Sequence, residues 1–428
     1  GLWFLVFPVK GWAFSLLSVL NANVGLLGAW FIIGRFAEGK RRAAATFLLL
    51  LTPCYSFLAL KYNANAVFLS LWPWMAYYFL RAIDDGRKVD ALLFGILSAA
   101  AMLSKYYAVV LLLTCLAAAC LHPQRRRYFA SVSPYLSAGV AALLVAPHVW
   151  WLITTGFRPI RYAEGEAGLT LLQSLYNAVG YLLACLALHG LVILVVALRS
   201  RGPVSRRWRR LAERSRDPRF RVLAALALGP ALITAAAGVA LRFPLADTMS
   251  VGIFCLIPLL LMELAGVEDD ARLLRLARRL TAGITLAALI ASPLVAYEKM
   301  NRGELAAAQP RMEIAEAATQ LWRQKTGTPL AIVAGYSPYA DAVAFYSPDH
   351  PSEFIAFDRG WSPWITPEAI ARHGFLAVCL KADEKCLTLA REYATASASQ
   401  AEVELFHSAW GMKAPPVAFD LLVVPPRP

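Results

Sequence analysis

In a chain of 428 residues, 59% are hydrophobic and only 16% are charged. An ordinary soluble domain is ~45–50% apolar and ~25% charged, so a protein built for water alone is excluded. The formal net charge of +14 is gathered into every second loop rather than over one face, which excludes nucleic acid as a partner and points to the bilayer.

Taken in chain order, the apolar stretches are Trp12–Phe36, Ala43–Leu60, Ala66–Arg81, Ala91–Lys105, Tyr106–Leu121, Pro134–Ile153, Leu171–Leu198, Val222–Leu241, Val251–Leu264 and Leu280–Ala296. Several fall short of the ~20 residues that a straight span needs, so their ends extend into the flanking loops. The pattern predicts an α-helical polytopic membrane bundle of about ten spans over residues 1–300. Cations cluster at Arg35 with Lys40, Arg41 and Arg42; at Arg81, Arg87 and Lys88; at Arg125, Arg126 and Arg127; from Arg199 to Arg221; and at Arg272, Arg275, Arg278 and Arg279. The loops between are cation-poor, so the basic loops face the cytoplasm. The run Arg206-Arg207-Trp208-Arg209-Arg210 reads as a topology determinant or as an anionic-lipid patch. This count puts Gly1 and the residues after Met300 outside the cytoplasm. A start outside, without Met or a signal peptide, leads us to expect at least one upstream span and the outer loop that follows it.

From Asn301 to Pro428 the composition turns polar. Leu305–Gln324 has helical periodicity, Leu330–Ala334 reads as a buried strand, and Tyr339–Tyr346 reads as a helix. Phe354–Phe357 is a second strand candidate, Pro367–His373 a helix and Leu376–Leu380 a strand; Val403–Phe406 and Leu421–Val424 are late strands. The alternation predicts a small extracytoplasmic α/β domain over residues 301–428. Of the seven cysteines, Cys54, Cys115, Cys120, Cys185 and Cys255 lie in spans and read as core residues. Cys379 and Cys386 lie outside, where a disulfide is permitted, but six intervening residues leave the pairing open.

The outward loops carry the residues that could do chemistry. The first holds Lys61, Tyr62, Asn63 and Asn65; the second is Lys105-Tyr106-Tyr107; the third follows His148, Trp150 and Trp151 and includes Arg158, Arg161, Tyr162, Glu164 and Glu166; the fourth has Arg242 and Asp247. Cations and aromatic rings at the lipid–water boundary suit a ligand with a phosphate head and a hydrocarbon tail. Each residue also has a plainer role. Tyr106, Tyr107, Trp150 and Trp151 fit an interfacial belt, Arg158 and Arg161 a solvated loop, His148 a bonded core position, and the two glutamates a wet surface. Lys105 resists this treatment, because a cation between two spans on the cation-poor face opposes the topology rule. No Asp-x-Asp motif, Walker motif, dinucleotide fingerprint or pair of acidic residues within a span is present. No cofactor is assigned, and a divalent metal stays open.

Several stretches, in order, carry a family resemblance: Tyr62–Pro73 with Tyr78–Ala82, Gly95–Ser98, Met102–Tyr106, Ala146–Leu152, Phe157–Tyr162 and, in the tail, Phe345–Pro351. The chain resembles the bacterial branch of the GT-C membrane glycosyltransferases, related to protein O-mannosyltransferases and lipid A aminoarabinose transferases. The resemblance implies transfer of a sugar, with inversion, from a polyprenyl-phosphate donor to an extracytoplasmic lipid or cell-envelope glycan, in a bacterial inner membrane with a periplasmic carboxyl-terminal domain. It also implies a carboxylate base in the first outer loop and a cation stabilising the leaving phosphate. The family's acidic residue would precede Gly1, so no base is assigned in this chain; Asp84 and Asp85 fall on the cytoplasmic side. Lys61, Lys105, Arg158, Arg161 and Arg242 are expected to contact phosphate. Tyr62, Asn63, Asn65, Tyr106, Tyr107 and His148 are expected to line the sugar or acceptor cavity. A transporter or flippase of lipid-linked glycans would use the same cations without a base, and a glycan-binding scaffold would need only the outer domain.

Overall fold

The computed structural model describes residues 3–166, 168–200, 211–246, 249, 251–303, 308–394, 396–409 and 411–427, with Tyr162, Ala163, Glu164 and Glu166 described by their backbone alone. The run Arg206–Arg210, Asp247 and the helix-starting Leu305 of the sequence reading lie outside the described residues. The chain divides into two compact units, Gly11–Ile284 and Gly1–Lys10 with Thr285–Pro428. The division falls within the Asp270–Asn301 helix.

The first unit is helical, and every predicted span contains a helix. Among the described residues, Gly11–Ile33, Ser133–Thr154, Pro218–Ala240 and Asp270–Asn301 are long and apolar enough to cross a membrane singly. Gly39–Leu49 with Pro53–Leu60, and Leu171–Ala187 with Gly190–Arg199, qualify only as bent pairs, with bends of 86° and 57°. The chain is therefore a multi-pass membrane protein. The helices Phe68–Asp84, Lys88–Ser104, Ala108–Leu121 and Ile257–Ala265, with the shorter Arg125–Phe129 and Arg158–Glu166, lie in the same unit.

Small residues let these helices approach closely, as association within lipid requires. A Cβ on Gly25 would stand 2.2 Å from the Leu69 carbonyl oxygen, and one on Gly252 2.6 Å from the Leu69 nitrogen. The first turn of the Phe68–Asp84 helix is thus gripped between the Gly11–Ile33 helix and the non-helical stretch from Val251 to Leu256. Ser137 Oγ donates to the Ala91 carbonyl at 2.8 Å, where Gly95 leaves room for the crossing. At the basic-loop ends, acids answer the cations. Arg35 reaches Asp84 at 2.7 Å and Asp85 at 3.0 Å, Arg81 reaches Asp90 at 3.1 Å, and Arg41 reaches Glu263 at 2.8 Å. The Gln124 N–H donates to His122 Nδ1, so Nε2 carries the proton and donates to Asp84 Oδ1 at 3.1 Å. Asp84 and Asp85 are therefore held in a helix-end lock.

The second unit contains a five-stranded mixed sheet in the order β2-β1-β3-β7-β4. The strands are β1 (Ile332–Gly335), β2 (Ser352–Ile355), β3 (Phe375–Leu380), β4 (Ser399–Leu405) and β7 (Val417–Val424), with β5 (Ser408–Ala409) and β6 (Met412–Lys413) forming a separate ribbon. β1 runs parallel to β2 and β3, and β7 runs antiparallel to β3 and β4. Side chains alternate between two cores, as the pleat demands. Val333, Leu376, Val378, Leu421 and Val423 pack with Ile314 and Trp322, while Ile332, Ala334, Phe375, Ala377 and Leu422 pack with Phe354 and Phe357. Within the predicted Leu305–Gln324 segment, the described helix runs Arg311–Thr326 and begins after Pro310. β2 ends at Ile355 because Ala356 (φ 51°) and Phe357 (φ 59°) turn the chain. The sequence reading missed the Glu384–Arg391 helix, whose start is capped by Asp383 accepting the Cys386 N–H at 3.0 Å. A disulfide joins Cys379 of β3 to Cys386 of this helix, which resolves the pairing that spacing left open.

Candidate lipid-phosphate site

Two interruptions of helix in the first unit meet at one cavity. After Leu49 the chain stops helical winding ahead of Pro53, passes through short 3₁₀ turns at Pro53–Tyr55 and Phe57–Leu60, and resumes a helix only at Phe68. The second interruption is the stretch from Val251 to Leu256, which is buried throughout although it is not helical. Irregular backbone at membrane depth is tolerated where protein buries it or where it lines a cavity. Both conditions hold here. Lys61, Asn63, Asn65 and Ala66 from the first interruption, and Val251 from the second, line a cavity of about 400 Å³. Its remaining walls are Pro53, Leu58, Ala184, Ala187 and Leu188. The lining therefore offers an ammonium and two amides among otherwise apolar side chains.

The local chemistry of the polar lining is well defined. Asn63 Oδ1 accepts the N–H groups of Asn65 and Ala66, each at 2.9 Å, so this side chain starts the turn that leads into the Phe68 helix. Asn65 Oδ1 accepts from Lys105 Nζ at 2.6 Å. Lys105 caps the Lys88–Ser104 helix in an extended conformation, and the three residues of its linker point to three different partners. Tyr106 Oη is bonded to His148 Nε2 at 2.8 Å, and the His148 ring stacks on Trp151 at 5.3 Å. Tyr107 Oη lies 2.7 Å from Thr234 Oγ1. The Thr234 hydroxyl donates to the Pro230 carbonyl at 2.6 Å, so Tyr107 is the donor in that pair. Tyr62 sits edge-on to Phe14 at 5.9 Å.

The structure thus brings Lys61, Asn63 and Asn65 to one cavity, with Lys105 bonded to it through Asn65. It places the Tyr106–His148 pair on the exposed side of the Ser133–Thr154 helix and uses Tyr107 as a tie to the Pro218–Ala240 helix. Arg158 and Arg161 are exposed on the Arg158–Glu166 helix, and the Arg242 carbonyl accepts the Gly168 and Leu169 N–H groups at 3.2 Å each. None of these three arginines lines the cavity. Asn21 and Ser70, which sequence reading passed over, lie behind the polar lining: Asn21 Nδ2 donates to the Ala66 carbonyl at 2.7 Å, and Ser70 Oγ donates to Asn21 Oδ1 at 2.6 Å. The available signal was an amide in an otherwise apolar helix. Among the described residues, no three His, Cys, Asp or Glu side chains converge as a metal site requires.

The site is a partly polar cavity between broken helices of a multi-pass membrane protein. Two comparisons show what the chain resembles. Residues 1–151 match the family model for dolichyl-phosphate-mannose-protein mannosyltransferases. The fold matches ArnT from Cupriavidus metallidurans bound to undecaprenyl phosphate, with a TM-score of 0.57 and 15% identity over 98% of this chain and 86% of that one. The apo state of the same ArnT gives a TM-score of 0.56 and 14% identity over 98% and 85% of the two chains. No curated protein sequence matches this chain. At these identities the structural likeness carries the fold, and the chemistry has to be argued from this chain's own residues.

Proposed function

We propose that the protein transfers a sugar from a polyprenyl-phosphate donor to an acceptor outside the cytoplasm, a lipid or a cell-envelope glycan, with inversion at the anomeric carbon. The observation that carries this reading is one cavity lined both by Lys61, Asn63 and Asn65 and by Ala184, Ala187, Leu188 and Val251. An anionic head and a prenyl tail need those two environments side by side. The similar ArnT fold, seen with undecaprenyl phosphate, supports the same ligand class. In this reading an acceptor hydroxyl gives its proton to a base as its oxygen attacks the anomeric carbon, while the bond from that carbon to the phosphate oxygen breaks. Negative charge collects on the departing lipid phosphate, and Lys61 and Lys105 stabilise it. Tyr62, Asn63, Asn65, Tyr106, Tyr107 and His148 would line the path of sugar or acceptor. Arg158, Arg161 and Arg242 would supply outer-face cations for phosphate. No residue of this chain is assigned as the base. The protein would reside in a bacterial inner membrane, with residues 301–428 in the periplasm.

Binding of undecaprenyl phosphate to the protein in nanodiscs tests the reading. We expect measurable affinity that a Lys105→Ala substitution weakens by about tenfold or more. Unchanged affinity in that variant would remove the assignment.

A further inference from the structure

We propose that Asn21 is a positioning residue for the polar side chains of the cavity, holding the Asn63–Ala66 turn where Asn65 can orient Lys105. The proposal rests on the polyprenyl-phosphate reading above and goes beyond it in giving a role to a residue that touches no substrate. Asn21 lies in the middle of the Gly11–Ile33 helix and is only 9% exposed. A primary amide there is costly unless both of its ends are bonded. Both are, and both partners lie in the turn or the helix it starts: Nδ2 to the Ala66 carbonyl and Oδ1 from Ser70. The connection then runs on without a gap. Asn63 Oδ1 holds the Asn65 and Ala66 N–H groups, and Asn65 Oδ1 holds Lys105 Nζ.

Packing alone does not call for an asparagine at this place. Positions 21, 25 and 28 form one stripe of the helix at i, i+4 and i+7. Gly25 and Gly28 meet the backbone of Leu69 and the side chains of Pro73 and Trp74 by being small. At position 21 the stripe faces the turn that precedes the Phe68–Asp84 helix, and there the sequence supplies a donor and an acceptor. What the amide adds is a fixed depth for the Ala66 carbonyl, and through Asn65 a fixed position for the lysine.

The test compares two lipids, undecaprenyl phosphate and undecaprenol, binding to the full chain in nanodiscs. The ratio of their affinities isolates what the phosphate contributes, whereas damage to packing lowers both together. We expect Asn21→Ala to lower the ratio about three- to fivefold, no more than loss of Asn65 itself, because the charge of Lys105 stays and only its aim is lost, with undecaprenol binding retained. Asn21→Ser covers the case in which the alanine variant does not fold. A serine hydroxyl can bond back to the Leu17 carbonyl one turn earlier, but it is too short to hold Ala66, so it should lower the ratio equally. A ratio within about twofold of wild type in the folded variant, or parallel loss of both lipids, overturns the proposal. Lys105→Ala is measured alongside. If it leaves the ratio unchanged, the phosphate reading itself fails; if it collapses the ratio while the Asn21 variants do not, only the role of Asn21 fails.

Discussion

Lys105 Nζ donates to Asn65 Oδ1 at 2.6 Å, although 40 residues separate them. The pair joins the end of one membrane helix to the turn that begins another, and it gives an ammonium on the cation-poor face a neutral partner rather than a carboxylate. A lysine paired this way keeps its full charge for an anion, because an amide oxygen orients it without neutralising it. Lys105→Ala should therefore cost about 1.5–3 kcal/mol of phosphate binding, roughly 10- to 150-fold. Asn65→Ala keeps the charge and loses only its aim, so the loss should be about fivefold or less. Equilibrium binding of undecaprenyl phosphate ranks the two, and the reverse order would show that Asn65, not Lys105, makes the main contact.

The apolar wall makes a separate claim. Ala184 and Ala187 line the cavity just before the bend between the Leu171–Ala187 and Gly190–Arg199 helices. Enlarging Ala187 to phenylalanine would fill space that the proposed prenyl chain needs. Undecaprenyl phosphate and undecaprenol should both lose about tenfold or more in affinity, with their ratio preserved. Normal binding of both lipids by a folded Ala187→Phe variant would place the tail elsewhere.

Gly252 tests how the cavity is built. Its φ of +94° suits glycine, and an added Cβ would fall 2.6 Å from the Leu69 nitrogen. Backbone cannot yield there as a flexible side chain could. Gly252→Val should destabilise the membrane unit by about 3 kcal/mol or more, seen as a lower melting temperature and poor recovery in detergent. A variant that melts within a degree or two of wild type would show that the grip on Leu69 is not needed.

Much of this architecture was legible in the chain. The alternation of basic and cation-poor loops located helices in every apolar stretch, because burial in lipid leaves a long and simple signal. The strands of the carboxyl-terminal domain were legible from short apolar runs, as at Phe375–Leu380, where five successive residues are buried. The Glu384–Arg391 helix was not, since its eight residues bury only Cys386 and Ala390 and so give little periodicity. The site was legible in part. Lys105 stood out because it breaks the charge rule, and Asn65 lay in the separate Tyr62–Pro73 stretch, so their bond, which depends on how two helices pack, was not legible. The breaks at Pro53 and at Val251–Leu256 were hidden because both stretches are apolar enough to pass as continuous spans. Asn21 was hidden because one amide does not alter the hydropathy of a 23-residue helix.

The carboxyl-terminal α/β domain should have a pH-dependent stability set by two carboxyl groups with opposite shifts. Glu353 of β2 is pushed up to about 8 by burial and then by the Asp341 carboxylate beside it, and its Oε1 is buried without a hydrogen-bond partner. Its folded pKa lies above the unfolded value of about 4.3, so the native state holds the proton more tightly. That contribution is complete below about pH 4 and is lost as pH rises through about 8. Asp349 behaves in reverse. Burial opposes its ionisation, but Arg323 and the Leu330 N–H, which donates at 2.8 Å, outweigh burial and hold it below the usual range. Its contribution is present above the unfolded pKa of about 3.9 and is lost as pH falls through the lower folded value. The sheet should therefore weaken towards alkaline pH through Glu353 and towards strong acid through Asp349. Glu353→Gln should abolish the alkaline limb, a change of about 1–2 kcal/mol after allowance for the partial exposure of this side chain. Hydrogen-exchange protection of the β2 amides, corrected for intrinsic rate and followed from pH 5 to 9, reads the effect directly. Protection that is flat over this range, or that declines equally in Glu353→Gln, would show that Glu353 does not hold its proton in the folded domain.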